Sequence, residues 1–314
     1  MNNLSMETLK AAFGEIGNCS NWSLQLLKIS TSKSAGTKYA SRQIQLEPAS
    51  EMISFVSELS KKYLSGGKGS LDSYTDIVDY DGTASGTTIY RLTKDNALIA
   101  SEYSAFLTAI ANPDVEADPF AYTSAYVLKG IISIEDDEIP VKMVSMQSPI
   151  TKLKQKFQLL HPSGRFSQIT HPILTLRTSV DVVIIGDTIY FLTLAGENLF
   201  NMARAYKAVC HDAITEIEGT GIISSVDKFR VIAESGHNPR KFVSFDRERL
   251  NALKNTNTRK AMAKRFSIPL DGENRFDTSA NGAADRIVKL LCNKGMVDPF
   301  KNVAVEVSGA RQWQ

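Results

Sequence analysis

VDVVIIGDTIYFLTL, residues Val180 to Leu194, is the stretch from which the fold is read. Val180–Ile185 is an apolar, β-prone run, Gly186-Asp187 is a turn pair, and Tyr190–Leu194 is the returning strand. An apolar run, a Gly-containing turn and a second apolar run predict a tight hairpin. The period then changes. Leu199, Met202, Tyr206, Val209, Cys210, Ala213, Ile214 and Ile217 recur at helical spacing, which predicts one long helix over Gly196–Glu218.

The same two periods organise the chain on either side. Ser23–Ile29, Ser41–Glu47, Ile77–Asp79, Thr87–Leu92, Tyr126–Ile134 and Ile139–Met146 read as strands. Ser50–Leu64 places Met52, Phe55, Val56 and Leu59 on one helical face, and Asp95–Ala111 reads as a helix ending at Asn112-Pro113. Toward the C-terminus, Ser244–Lys254, Thr258–Phe266 and Ala283–Asn293 are helical, with Gly295 as a C-terminal cap and Val303–Val307 as a last strand. The expected class is α+β, with mixed or antiparallel sheets packed against helices. A break near Pro149 predicts two domains, an acidic one over residues 1–147 and one with a basic helical region over residues 148–314.

Composition narrows the function classes. Apolar residues make up 43% and charged residues 22%, a globular balance. The start MNNLSMETLK lacks a basic head and apolar run, so no signal peptide is expected, and aliphatic runs such as Val182–Ile185 are too short to span a bilayer. Cys19, Cys210 and Cys292 are odd in number and widely spaced, which fits a reducing, cytoplasmic setting. His161, His171, His211 and His237 lack metal-ligand spacing, so no metal and no cofactor is expected.

Several motifs resemble chemistry and fall short of it. Ser65–Ser70 (SGGKGS) lacks the spacing of a Walker loop and reads as a surface loop. Glu135, Asp136, Asp137 and Glu138 read as a solvated turn, with a cation site or basic partner as the alternative. His161-Pro162 and His171-Pro172 read as turns. Adjacent helix residues point about 100° apart, so Cys210 and His211 do not make a dyad. No catalytic motif is found, and the protein is expected not to be an enzyme.

The charge distribution is the informative feature. Net charge is only +2, yet Leu71–Pro140 carries thirteen acids against three bases, and Arg240–Arg265 nine bases against two acids. A one-sided excess lacks i,i+4 acidic partners and suits a phosphate backbone. The candidate DNA-binding residues are Arg240, Lys241, Lys254, Arg259, Lys260, Lys264 and Arg265, with Lys152, Lys154 and Lys156 as a second group beside Arg165. On the helix Thr258–Phe266, Met262 and Phe266 form an apolar anchor, and Arg259, Lys260 and Lys264 are expected on the opposite side. The alternative is a solvated or partner-binding face.

The C-terminal half resembles the B-protein family of the Kiwa anti-phage defence system. The resemblance rests on Leu174-Thr175-Leu176 and Val180–Phe191 leading to Glu197-Asn198-Leu199-Phe200, on the basic region through Lys264-Arg265, and on Ile287–Leu291 with Gly295-Met296-Val297. It implies a soluble DNA-binding protein with little sequence preference. It also implies self-association and recruitment to the inner membrane by a small multi-pass (KwaA-like) partner, with block of phage DNA replication or expression as the outcome. It transfers no individual residue. Two alternatives stay open. One is a metal-dependent nuclease using Asp181, Asp187 and Glu197; the other is a scaffold whose basic face docks an acidic protein.

Overall fold

In a computed structural model of the chain, the residues described are 6–16, 22–32, 36–116, 118–134, 137–146, 159–160, 167–168, 174–297 and 304–306. They confirm an α+β protein. It divides into two compact units, Met1–Val78 with Gly86–Asn201, and Asp79–Ser85 with Met202–Gln314. The division falls at Asn201–Met202 and not near Pro149. The reason is strand pairing, which sequence periodicity does not report. The hairpin that decides the fold, β9 (Val182–Ile185) and β10 (Thr188–Phe191), pairs on one side with β6 (Asp137–Met146) and on the other with β4 (Thr88–Thr93). It is therefore the middle of the first unit's sheet.

That sheet has eight strands. β1 (Ser23–Ser32), β2 (Gly36–Ile44), β3 (Asp76–Asp79) and β5 (Ala125–Ile134) complete it, in the order β2-β1-β5-β6-β9-β10-β4-β3. Ile185 faces Thr188 across Gly186-Asp187, and Gly186 takes φ 56°, the left-handed conformation that a two-residue hairpin turn requires. Successive side chains leave opposite faces of a strand. All four residues of β9 are buried, so both faces of the sheet are covered. On one face α1 (Met6–Ile16) and α2 (Ser50–Leu64) pack Leu9, Phe13, Val56 and Tyr63 against Leu24, Leu26, Tyr126 and Leu128. Tyr63 Oη donates to Val180 O at 3.0 Å and accepts from Val180 N at 2.7 Å, tying α2 to the entry of the hairpin. Beyond the sheet lies α3 (Ala100–Ala111), whose Tyr103 and Phe106 meet Phe200 at 6.1 Å between ring centroids, as does Phe191 of β10. The two-residue strands β7 (Leu159–Leu160) and β8 (Ser167–Gln168) pair separately.

The second unit is mainly helical. The expected helix over Gly196–Glu218 is interrupted: Leu194–Phe200 is a 3-10 segment, Asn201 adopts φ 48°, and α4 runs over Met202–Glu218. Asn tolerates the left-handed region better than most residues. Before the break Phe200 is buried against Tyr103, Phe106 and Phe191 of the first unit, while Cys210, Ala213, Ile214 and Ile217 of α4 enter the core of the second. α5 (Val226–Ala233), α6 (Asn238–Lys241), α7 (Arg247–Leu253), α8 (Thr256–Arg265) and α9 (Ala283–Leu291) close around Phe229, Phe242, Phe276 and Ile287. α7 and α8 start where side-chain oxygens replace missing helical acceptors. Asp246 accepts from Arg249 N at 2.9 Å, and Asn255 from Asn257 N at 2.9 Å and Thr258 N at 3.1 Å. Past α9 the left-handed residue is Asn293 (φ 53°), not the expected Gly295, which instead opens β11 (Gly295–Val297), paired with β12 (Ala304–Glu306).

Candidate nucleic-acid interface

The nine bases of Arg240–Arg265 separate sharply once their partners are known. Arg259 is 7% exposed, contrary to its expected place on the outer face of α8. Its Nη1 donates to Leu253 O at 2.8 Å and Lys254 O at 3.3 Å, its Nε to Asn274 O at 2.6 Å, and its Nη2 to Thr256 Oγ1 at 3.3 Å. The guanidinium thus caps the carbonyl end of α7, where the helix dipole favours a cation. Arg259 is on the core side because it shares the i, i+3/4, i+7 stripe of Met262, Ala263 and Phe266.

Other cations are also engaged. Arg240 donates from Nε to Tyr80 Oη at 3.2 Å and from Nη2 to Thr83 O at 3.1 Å, and it lies over the Tyr80 ring. Lys241 Nζ is 3.5 Å from Asp285 Oδ1. Arg247 makes a two-pronged pair with Glu216, and Arg249 binds Leu290 O at 2.7 Å beside Asp246.

Four cations remain. Lys254, Lys260, Lys264 and Arg265 are exposed, and none has a carboxylate partner among the described residues. Lys260 and Lys264 stand one turn apart, with Arg265 next to them; Lys254 ends the preceding helix at its C-cap. The last turn of α8 favours Lys264 and Arg265 through the helix dipole, but that effect does not reach Lys260. Met262 and Phe266 are half-buried against the second core, as the anchor reading expects. Lys152, Lys154, Lys156 and Arg165 lie outside the described residues.

Sequence reasoning missed one buried cation. Lys294 is 4% exposed; its Nζ donates to Thr83 Oγ1 at 2.7 Å and lies 3.5 Å from Asp81 Oδ2. Burial lowers its pKa, and the nearby Asp81 carboxylate offsets part of that effect. Only its place just after α9 marks it in sequence. It secures residues 79–85 within the helical unit.

Catalytic alternatives fare differently. Asp181 is buried and accepts from Met146 N at 2.7 Å and Thr193 Oγ1 at 2.5 Å. Asp187 pairs with Lys94 at 2.8 Å, and Glu197 sits in the first turn of the 3-10 segment. Among the described residues no three His, Cys, Asp or Glu side chains are grouped to hold a metal. Cys210 donates to Ala233 O at 3.5 Å and its thiol is pushed up to about 12 by burial, while His211 lies 3.5 Å from Glu234. Glu135, Asp136, His161 and His171 lie outside the described residues; Asp137 and Glu138 are exposed.

The partner of Lys241 supplies a pH test. Burial pushes the Asp285 carboxyl up, but the Lys289 hydrogen bond and the Lys241 and Lys289 charges outweigh it and hold the pKa below the usual carboxylate range. The unfolded chain therefore takes up a proton before the folded one. Stability is expected to be present at neutral pH and to fall as pH drops through and below the ordinary carboxylate range. Urea midpoints across that range should decline less steeply in Asp285→Asn than in the parent. Equal declines would remove Asp285 from the acid response.

No helix among the described residues is long and apolar enough to cross a membrane. A family model described as Kiwa protein KwaB-like matches residues 128–297, more than half of the chain and all of α4 through α9. No curated protein and no solved structure matches the chain.

Proposed function

Because this chain belongs to the Kiwa KwaB-like family, and so to an anti-phage defence system, we propose that it serves that defence by holding DNA on the outer face of α8. The observation that carries the reading is the set Lys254, Lys260, Lys264 and Arg265, exposed cations with no carboxylate partner among the described residues. Unpaired cations on a helix face engage phosphates by charge and do not read bases, so the binding is largely independent of sequence. The chain acts by binding and not by catalysis, and phage DNA replication or expression is blocked by occupancy.

Specificity then comes from location. In this reading the protein is cytoplasmic and a small multi-pass membrane partner recruits it. The acidic stretch Leu71–Pro140, most of which belongs to the first unit, meets the Lys/Arg-rich cytoplasmic side such proteins present. Self-association multiplies weak phosphate contacts into tight binding.

Anisotropy titration of a labelled duplex tests the reading. The parent is expected to bind with Kd in the range of about 10⁻⁴ to 10⁻⁶ M. The triple change Lys260→Glu, Lys264→Glu and Arg265→Glu, which leaves Lys254 alone, is expected to weaken binding to or beyond the limit of titration. Arg247→Ala, which removes a cation already paired with Glu216, should leave it unchanged. Equal affinity in the triple variant and the parent contradicts the proposal.

A further inference from the structure

Beside the cations of α8 lies a groove of about 410 Å³ in the same unit. Leu253, Met262, Phe266, Leu290 and Met296 line it, and Arg265 belongs both to its rim and to the outer face of α8. Met296 is 45% exposed, unusual for so apolar a side chain. Gly295 allows the Phe266 ring to approach: a Cβ there would come within 3.1 Å of Phe266 Cε1. The volume falls within the range of small-ligand pockets.

We infer that this groove takes an unstacked base of a single DNA strand whose phosphates lie along Arg265, Lys264 and Lys260. The inference rests on the DNA-binding reading and deepens it. A duplex keeps its bases paired and stacked, so it can use the cations but leaves the apolar groove empty. A single strand offers both groups the site can engage, a phosphate and an adjoining apolar ring face. The shared Arg265 makes the two halves contiguous. Methionines at 262 and 296 conform to different bases, so the groove favours single strands without selecting sequence. An acidic peptide with an aromatic side chain is the competing occupant, and the test separates it.

The experiment compares three probes of equal length, about 16 nucleotides: oligothymidylate, an abasic strand with the same phosphates, and a duplex. Loss of base stacking is expected to weaken the abasic strand about fivefold or more relative to oligothymidylate. The duplex should bind more weakly than oligothymidylate as well. Met296→Ala, at an exposed position that leaves the core intact, should narrow the gap between thymidylate and abasic strands without changing duplex affinity. Equal affinity for abasic and thymidylate strands overturns the groove inference while leaving phosphate binding in place. If none of the probes binds, both readings fall. Displacement by an acidic aromatic peptide, with no nucleic acid retained, assigns the groove to a protein partner and overturns the inference.

Discussion

Arg259→Ala is expected to destabilise the helical unit by about 3–5 kcal/mol, far more than the loss of a surface cation. The side chain is 7% exposed and donates to three backbone carbonyls and one hydroxyl. Removing it strands Leu253 O and Lys254 O at the end of α7 and leaves a space beside the second core. Buried carbonyls without donors cost their desolvation, and hydrogen bonds from a charged donor are worth about 1.5–3 kcal/mol each. Arg259→Lys should recover only a fraction, because an ammonium cannot reproduce the planar fork. Urea denaturation followed by circular dichroism measures the loss. A change under about 1 kcal/mol would mean that the guanidinium is not a structural cap. The folded fraction of Arg259→Ala should keep the parent's DNA affinity, since the side chain is turned away from the proposed phosphate path.

Phe200→Ala is expected to cost the first unit about 3–5 kcal/mol. Phe200 is fully buried and meets Phe106 and Phe191 edge-on, with Tyr103 tilted against it. Truncation removes all three ring contacts and leaves a cavity under β10 and α3. Phe200→Leu, nearer in volume, should cost less than about 1.5 kcal/mol. If both variants lose the same small amount, Phe200 does not anchor this layer.

Both residues mark where the sequence was readable and where it was not. The hairpin Val182–Phe191 was legible because a turn pair separates two apolar runs, and α2 because Ser50–Leu64 repeats apolar residues at helical spacing. What periodicity cannot show is pairing across sequence distance. That β9 joins β6 and β10 joins β4 places the hairpin in the first unit, against the expected break near Pro149. Nor does an apolar stripe reveal a break in its own helix. The stripe through Leu199 and Met202 continues past Asn201, whose left-handed backbone divides it; the signal available was the asparagine itself.

The site followed the same rule. Counting charge over Arg240–Arg265 located the region but not its exposed members. Arg259 was counted as an outer cation although its spacing to Met262, Ala263 and Phe266 puts it on the buried stripe. Arg240, Lys241, Arg247 and Arg249 found partners in Thr83, Asp285, Glu216 and Asp246, distant residues in several cases and invisible to a charge count. Lys254, Lys260, Lys264 and Arg265 are what remains, and the proposal stands on them.

The most direct measurement is the salt dependence of duplex binding by the parent and by the Lys260→Glu, Lys264→Glu, Arg265→Glu variant. Four cations meeting four phosphates give an expected slope of log affinity against log salt of about −3 to −4. The variant, left with Lys254 alone, should bind too weakly to titrate or show a slope near −1. A flat salt response in the parent, or the parent's slope retained in the variant, would contradict DNA binding on the outer face of α8.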